Sequence, residues 1–219
     1  MAAPIAFLDV DHTLTRRSTG YRFALEAASR GLIGLGSLAL MPLLYAHYRL
    51  GKPDPEAFSR TRSVLGGLRR EELEEAARAA FASRIAPDLF PAALELVASL
   101  KAAGRRVFLA SSSFDFLVRP LAELLGAAGL VASELEFAGG LSTGRFAGTP
   151  AFGRGKLELA AAAAAAAGCE LSACSFHSDS VHDLPLLLAV GQPVVVNPDR
   201  ALAREARKRA WPVLYFRSK

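Results

Sequence analysis

Asp9 and Asp11 stand two residues apart at the end of a short apolar run, in "IAFLDVDHT". Nothing structural calls for two acids there, and burying both without a cation would cost several kcal/mol. Two further apolar runs also end in polar groups. "RVFLA", 106–110, leads into Ser111, and "SACSFH", 172–177, leads to Asp179 with Asp183 one turn on. Lys156 opens a helix between these two runs. In an open parallel sheet, functional groups gather beyond the carboxyl ends of the strands, so these residues are expected to converge. Three or more converging carboxylates repel strongly at low dielectric and require a cation. Oxygen-only ligands select a hard ion, and Mg²⁺ is the first choice. In the strand-to-loop turn of Asp9-Val10-Asp11, one acid can attack a substrate while the other donates a proton. A carboxylate nucleophile can accept a phosphoryl group as an acyl phosphate. The metal, an ammonium and a hydroxyl would then offset charge on the transferring group's oxygens.

The elements that must position these residues follow from periodicity and punctuation. Residues 5–8 read as a buried strand. Residues 19–30, 32–50, 55–65 and 70–85 read as helices, and the acids crowded into the start of 70–85 suit the helix dipole. Helix 91–104 ends at Gly104, a favoured residue just past a helix end. Strand 106–110, a helix at 115–126, a strand from 130 and a hairpin turning near Gly139–Gly140 come next. Helix 155–168 carries a run of eight alanines, the best helix former. Strand 172–177, a short helix at 183–189, strand 193–197, helix 199–209 and strand 213–216 close the chain. This alternation predicts an α/β fold, a parallel sheet with helices on both faces. A helical insert directly follows the first strand.

The chain has 219 residues, of which 52% are hydrophobic, enough for a substantial core and against disorder. The net charge of +5 and a pI near 9.6 could draw anionic substrates. No basic cluster interleaved with aromatics points to nucleic acid. The two cysteines, Cys169 and Cys174, fit neither a redox pair nor a zinc site. A reduced, cytoplasmic protein is the expectation, and the N-terminus lacks the basic start of a signal peptide. Residues 31–47 carry no Asp, Glu, Lys or Arg, but three glycines and Pro42 interrupt them. They are also shorter than the ~20 residues a span needs, so an integral membrane protein is not expected. Helix 32–50 could line a hydrophobic entrance or bury itself against neighbouring helices.

"DVDHT", "LASSS", "GKLEL" and "SDSVHDLP" resemble, in order and spacing, the four motifs of the haloacid dehalogenase superfamily. The hairpin and the "VVVNPDRALAREARKRAWPVL" ending are similar to subfamily IB, the branch that contains phosphoserine phosphatase. The resemblance implies a Rossmann-like core of residues 1–17 and 87–219 with a small α-helical cap over 18–86. It implies a Mg²⁺-dependent phosphomonoester hydrolase acting on a small-molecule phosphate ester through an aspartyl phosphate. Asp9 would be the nucleophile and a metal ligand. Asp11 would act as general acid and then base, its backbone carbonyl also reaching the metal. Ser111, Ser112 and Lys156 would hold the phosphoryl oxygens, and Asp179 and Asp183 would ligate Mg²⁺. Backbone N–H groups of Val10, Asp11 and Ser112 would complete the cradle, with Thr13 steadying the loop.

Read singly, Asp183 could instead be a helix N-cap, Ser111 a turn residue and Lys156 a surface lysine. His12 could touch the leaving group or pack the loop, and His182 could bond near the metal or lie exposed. Ser178 replaces the usual glycine, and Ser112 and Ser113 replace two glycines of phosphoserine phosphatase. Ser18 stands where that enzyme carries a glutamate. A neutral hydroxyl cannot pair with an ammonium, and Arg16 and Arg17 would repel one if they faced the site. L-phosphoserine is therefore disfavoured. The alternatives are a phosphoserine- or histidinol-phosphate-type phosphatase of amino-acid metabolism, or a lipid-phosphate-directed enzyme.

Overall fold

The computed structural model describes residues 3–34, 36 and 64–216. Strand β1 (Ile5–Leu8) lies at the centre of a six-stranded sheet in the order β3-β2-β1-β6-β7-β8. The others are β2 (Arg106–Phe114), β3 (Gly129–Ser133), β6 (Ser175–Ser178), β7 (Gln192–Val196) and β8 (Val213–Leu214). All pairings are parallel. Leu8 stands in register with Leu109 of β2 and His177 of β6. Chain order therefore reverses at β1, and the crevice beyond its carboxyl end is the switch point where ligands bind in such sheets.

Period-two alternation sends β1 side chains to two cores. Ile5 and Phe7 join Phe108, Phe176 and Val195 on one face. Three helices cover it: α5 (Arg154–Ala166), α6 (Leu184–Ala189) and α7 (Arg200–Arg209). Here the alanine run does its packing, since Ala160 and Ala164 are fully buried and let α5 lie close to the sheet. Leu8 joins Val107 and Leu109 on the other face, under α3 (Pro91–Ala102) and α4 (Asp115–Leu124).

A third cluster lies to one side. Phe23, Ala24 and Ala27 of α1 (Thr19–Ser29) meet Leu73, Ala76, Ala77 and Ala80 of α2 (Arg70–Ala80). Both rest on Phe116 and Leu117 of α4 and on Leu135 of β4 (Leu135–Ala138). β4 pairs antiparallel with β5 (Leu141–Phe146). The Ser142 hydroxyl of β5 binds Leu65 O and accepts from Leu68 N, stitching the hairpin to the approach to α2.

Several boundaries differ from the sequence expectation. Helix 70–85 is α-helical only to Ala80 and continues as a π-helical turn, Phe81–Ile85. β2 runs on through Ser111–Ser113 to Phe114, because β3 pairs with Phe114 beyond an irregularity in register. Strand 172–177 begins only at Ser175, after a 3-10 turn at Leu171–Ala173. Residues 31–34 form a turn and bend, so no helix starts at 32. The rest of the expected helices 32–50 and 55–65 lies almost wholly outside the described residues. Among the described residues no helix is long and apolar enough to cross a membrane. Cys169 and Cys174 are buried free thiols with sulfurs 3.5 Å apart.

Candidate active site

Asp9 leaves β1 with its backbone N–H still bonded to His177 O of β6 (2.9 Å), which fixes the carboxylate over the end of the sheet. Lys156 reaches it from the first turn of α5. Its ammonium lies 2.9 Å from Asp9 Oδ1 and 2.7 and 2.9 Å from the two oxygens of Asp183. Lys156 is only 2% exposed, Asp9 6% and Asp183 3%, so this is an interior ion cluster rather than a surface lysine with neighbours. Burial pushes the Asp9 carboxyl up to about 7. Lys156 pulls it down, but less than burial and the Asp183 charge together raise it. Asp183 is the residue preceding α6, yet its side chain makes no cap bond. It accepts from Lys156 and from Ser178 Oγ at 2.7 Å instead. Ser178 thus replaces the usual glycine with a donor to an acid of the site.

Asp11 points the other way, onto the N-terminus of α1. Its Oδ1 accepts from Thr19 N (2.8 Å) and Thr19 Oγ1 (2.7 Å), and its Oδ2 from Ser18 Oγ (3.1 Å). Thr19 Oγ1 in turn lies 3.0 Å from Ser113 Oγ at the end of β2. Ser18 therefore faces the site as a neutral donor engaged with Asp11. Thr19 is a site residue that sequence reasoning missed. A threonine one residue past a serine N-cap carried no signal of its own.

The loop after Asp9 is held differently from the sequence expectation. Among the described residues Thr13 Oγ1 is buried without a hydrogen-bond partner, so no bond there steadies the loop. Thr15 does, donating from Oγ1 toward Val10 O and Arg17 O at 3.2 and 2.8 Å. His12 takes a left-handed φ of 62° and sets Nδ1 3.1 Å from Arg16 O, a loop-packing contact. Arg16 turns from the site to donate to Leu89 O and lie over the Phe90 ring, while Arg17 is exposed.

Ser111 is buried within β2, not in a turn, and its Oγ accepts from Ser113 N at 3.1 Å. That leaves the hydroxyl proton to be donated elsewhere. Ser112 is half-buried, and its carbonyl accepts from Ser133 Oγ. Asp179 is 4% exposed at the end of β6, and its carbonyl accepts from Asp199 N. Asp199 caps α7 through Leu202 N (2.7 Å) and holds the 179–183 turn through Val181 N (2.8 Å). His182 is half-buried with its ring 5.3 Å from that of Phe152. His177 lies under the site, and burial pushes its imidazole down to about 4, so it is neutral near pH 7.

Among the described residues no three acids, histidines or cysteines form a ready ligand set for a metal. Convergence of the Asp9, Asp179 and Asp183 carboxylates on one ion is not preformed, since Lys156 stands between Asp9 and Asp183; the Asp11 carboxylate, read as acid and base rather than as a ligand, is turned to α1. The chemistry of the site still suits a hard cation. Asp9, Asp179 and Asp183 offer only oxygen, all are nearly inaccessible, and burial of Asp9 outweighs the single ammonium beside it.

Gly155 explains how Lys156 gets so close. A Cβ there would lie 2.1 Å from Pro150 O and 2.9 Å from Thr149 Cγ2. Alanine should favour the helix by about 1 kcal/mol, but the clash with backbone dominates. Gly155→Ala is expected to destabilise by about 1–3 kcal/mol and to lower turnover by shifting Lys156. Thermal melts alongside kcat check both, and a stabilised, fully active variant would refute the close approach.

A family model described as haloacid dehalogenase-like hydrolase matches residues 6–188. The chain is 33% identical to a histidinol-phosphatase of Neisseria meningitidis serogroup C, over 97% of this chain and 99% of that one. A crystal structure of a protein of unknown function from Bordetella pertussis superposes with a TM-score of 0.87 at 30% identity, covering 98% and 99% of the two chains. A phosphoserine phosphatase solved as a phospho-aspartyl intermediate analogue superposes with a TM-score of 0.75 at 22% identity, over 100% and 96%, a likeness of fold.

Proposed function

The chain belongs to the haloacid dehalogenase-like hydrolases, as a phosphatase of that family, and from that premise we propose that it is a Mg²⁺-dependent phosphomonoester hydrolase working through a phosphorylated Asp9. The observation that carries this reading is the buried Lys156 ammonium within 2.9 Å of both Asp9 and Asp183 at the switch point of the sheet. Residues 18–86 are the cap and 1–17 with 87–219 the core, and the cap meets the site where α1 donates to Asp11.

An Asp9 oxygen attacks phosphorus while the bond to the ester oxygen breaks, and Asp11 gives that oxygen its proton. Asp11, now a carboxylate, takes a proton from water as the water attacks phosphorus. The bond to Asp9 breaks and inorganic phosphate leaves. Lys156, Ser111 and Ser112 hold the phosphoryl oxygens. The side chains of Asp9, Asp179 and Asp183 and the backbone carbonyl of Asp11 would hold Mg²⁺, which supplies positive charge against the transferring group. Thr19 and Ser18 aim the Asp11 carboxylate.

For the substrate, Ser18 as a neutral donor to Asp11 supports a small phosphate ester other than phosphoserine. The histidinol-phosphatase relative favours histidinol phosphate as a second reading, which the neutral Ser18 does not support, because that ester carries an ammonium too. A panel of L-histidinol phosphate, L-phosphoserine, glycerol phosphates and sugar phosphates, run with Mg²⁺ and with EDTA, tests both. Hydrolysis that EDTA removes and Mg²⁺ restores is the expected result. No turnover of any ester overturns the function, and phosphoserine turned over far above the rest overturns the reading of Ser18.

A further inference from the structure

We propose that Asn197 is a positioning residue, through which the C-terminal strand holds the catalytic loop in its working shape. Resting on the function proposed above, the inference adds a control point outside the four motifs. Asn197 follows β7 in a left-handed conformation (φ 44°). Its side chain faces two ways. Nδ2 donates to His12 O at 3.3 Å, and Oδ1 accepts from Phe216 N at 2.8 Å. Its backbone N–H donates to Leu214 O of β8 at 2.9 Å. The Phe216 ring then meets Phe90 edge to face at 5.7 Å, and Phe90 N donates to Leu14 O of the same catalytic loop. The loop is thus gripped at His12 by Asn197 and at Leu14 by Phe90, against whose ring Phe216 of the C-terminal segment packs.

His12 is the residue that needs such a grip. A non-glycine residue at positive φ is costly and persists only where its surroundings over-determine it. The peptide before His12 carries the Asp11 carbonyl, and the peptide after it carries the oxygen that Asn197 binds. Fixing the second plane at φ 62° fixes the first, and with it the direction in which Asp11 leaves the backbone. Without the Nδ2 donor, His12 can relax to negative φ and turn Asp11 off its line. Misplacement of a reacting group by about 1 Å can cost on the order of 100-fold in rate.

Asn197→Asp separates this role from support of the fold. Aspartate also tolerates the left-handed region and keeps the acceptor for Phe216 N, but sets an oxygen against His12 O where a donor stood. The expected result is a kcat lowered by roughly 10- to 100-fold with KM little changed. Hydrogen exchange should rise in a peptide spanning 10–17 and stay unchanged over β7 and β8, with Tm preserved. Wild-type kcat together with wild-type exchange over 10–17 overturns the proposal. A loss of kcat that tracks a fall in Tm and faster exchange through β7 and β8 overturns it too, since Asn197 would then only support the sheet. If the wild-type protein hydrolyses no phosphate ester, the function fails separately, and exchange over 10–17 alone decides the tether.

Discussion

Asp9→Asn is expected to lower phosphate-ester turnover by at least ~10⁴-fold, about 5 kcal/mol of transition-state stabilisation, while leaving a folded protein. Asparagine keeps the shape of the side chain and removes the nucleophilic oxygen, so no covalent intermediate can form. The fold survives because Asp9 is a burden on it. Burial raises its carboxyl to about 7 against an ordinary 3.8, with Lys156 only partly compensating. A group whose folded pKa is raised contributes stability that is complete below the unfolded pKa and lost as pH rises through the folded one. For Asp9 that window runs from about pH 4 to about pH 7 in metal-free protein. Melts in EDTA across this range should therefore show Asp9→Asn gaining on wild type as pH increases. Retained full hydrolysis would refute the nucleophile, and a parallel pair of stability curves would refute the account of Asp9's burial.

The candidate residues Asp9, Ser111 and Asp179 were legible in the sequence because each sits at the end of an apolar run. Asp9 and Asp179 follow β1 and β6, and Ser111 lies late in β2; these strands pair as neighbours around β1, so sheet topology alone brings the three toward one edge of the sheet. Less legible was what orients them. Asp11 follows the same strand, yet its carboxylate is committed to Thr19 and Ser18, and this depends on how α1 enters. Thr13 sits in the family position expected to steady the loop, but the bonds go to Thr15, two residues on, because the turn brings Thr15 back beside Val10. Asp199 and Asn197 looked like an ordinary helix start after a strand. Their further contacts, to Val181 and to His12, cross from β7 to two other loops and have no local signature. Strand ends misled for a related reason: β2 runs on through Ser111–Ser113 because β3 pairs that far, which polarity at 111–113 conceals.

Lys156→Met is the substitution with the largest expected effect on stability, and it lowers the rate as well. Its ammonium is the charged partner shared by Asp9 and Asp183, each less than a tenth exposed. Removing one member of a buried ionic cluster costs about 3–5 kcal/mol, because the carboxylates left behind stay desolvated and repel each other. Ser178 keeps one donor on Asp183, whereas Asp9 loses the Lys156 ammonium, so the penalty should fall mainly on Asp9. The variant's deficit should accordingly be large at pH 8 and shrink on acidification, as Asp9 takes up a proton and its neighbour repels it less. Turnover should fall by roughly 10²–10³-fold even where the protein remains folded, since the ammonium offsets charge on the phosphoryl oxygens. Chemical unfolding at pH 5 and pH 8, with kcat measured at a temperature where both proteins are folded, separates the two effects. A deficit that does not change with pH would mean that lost packing of the lysine stem, rather than charge, holds α5 against the end of the sheet.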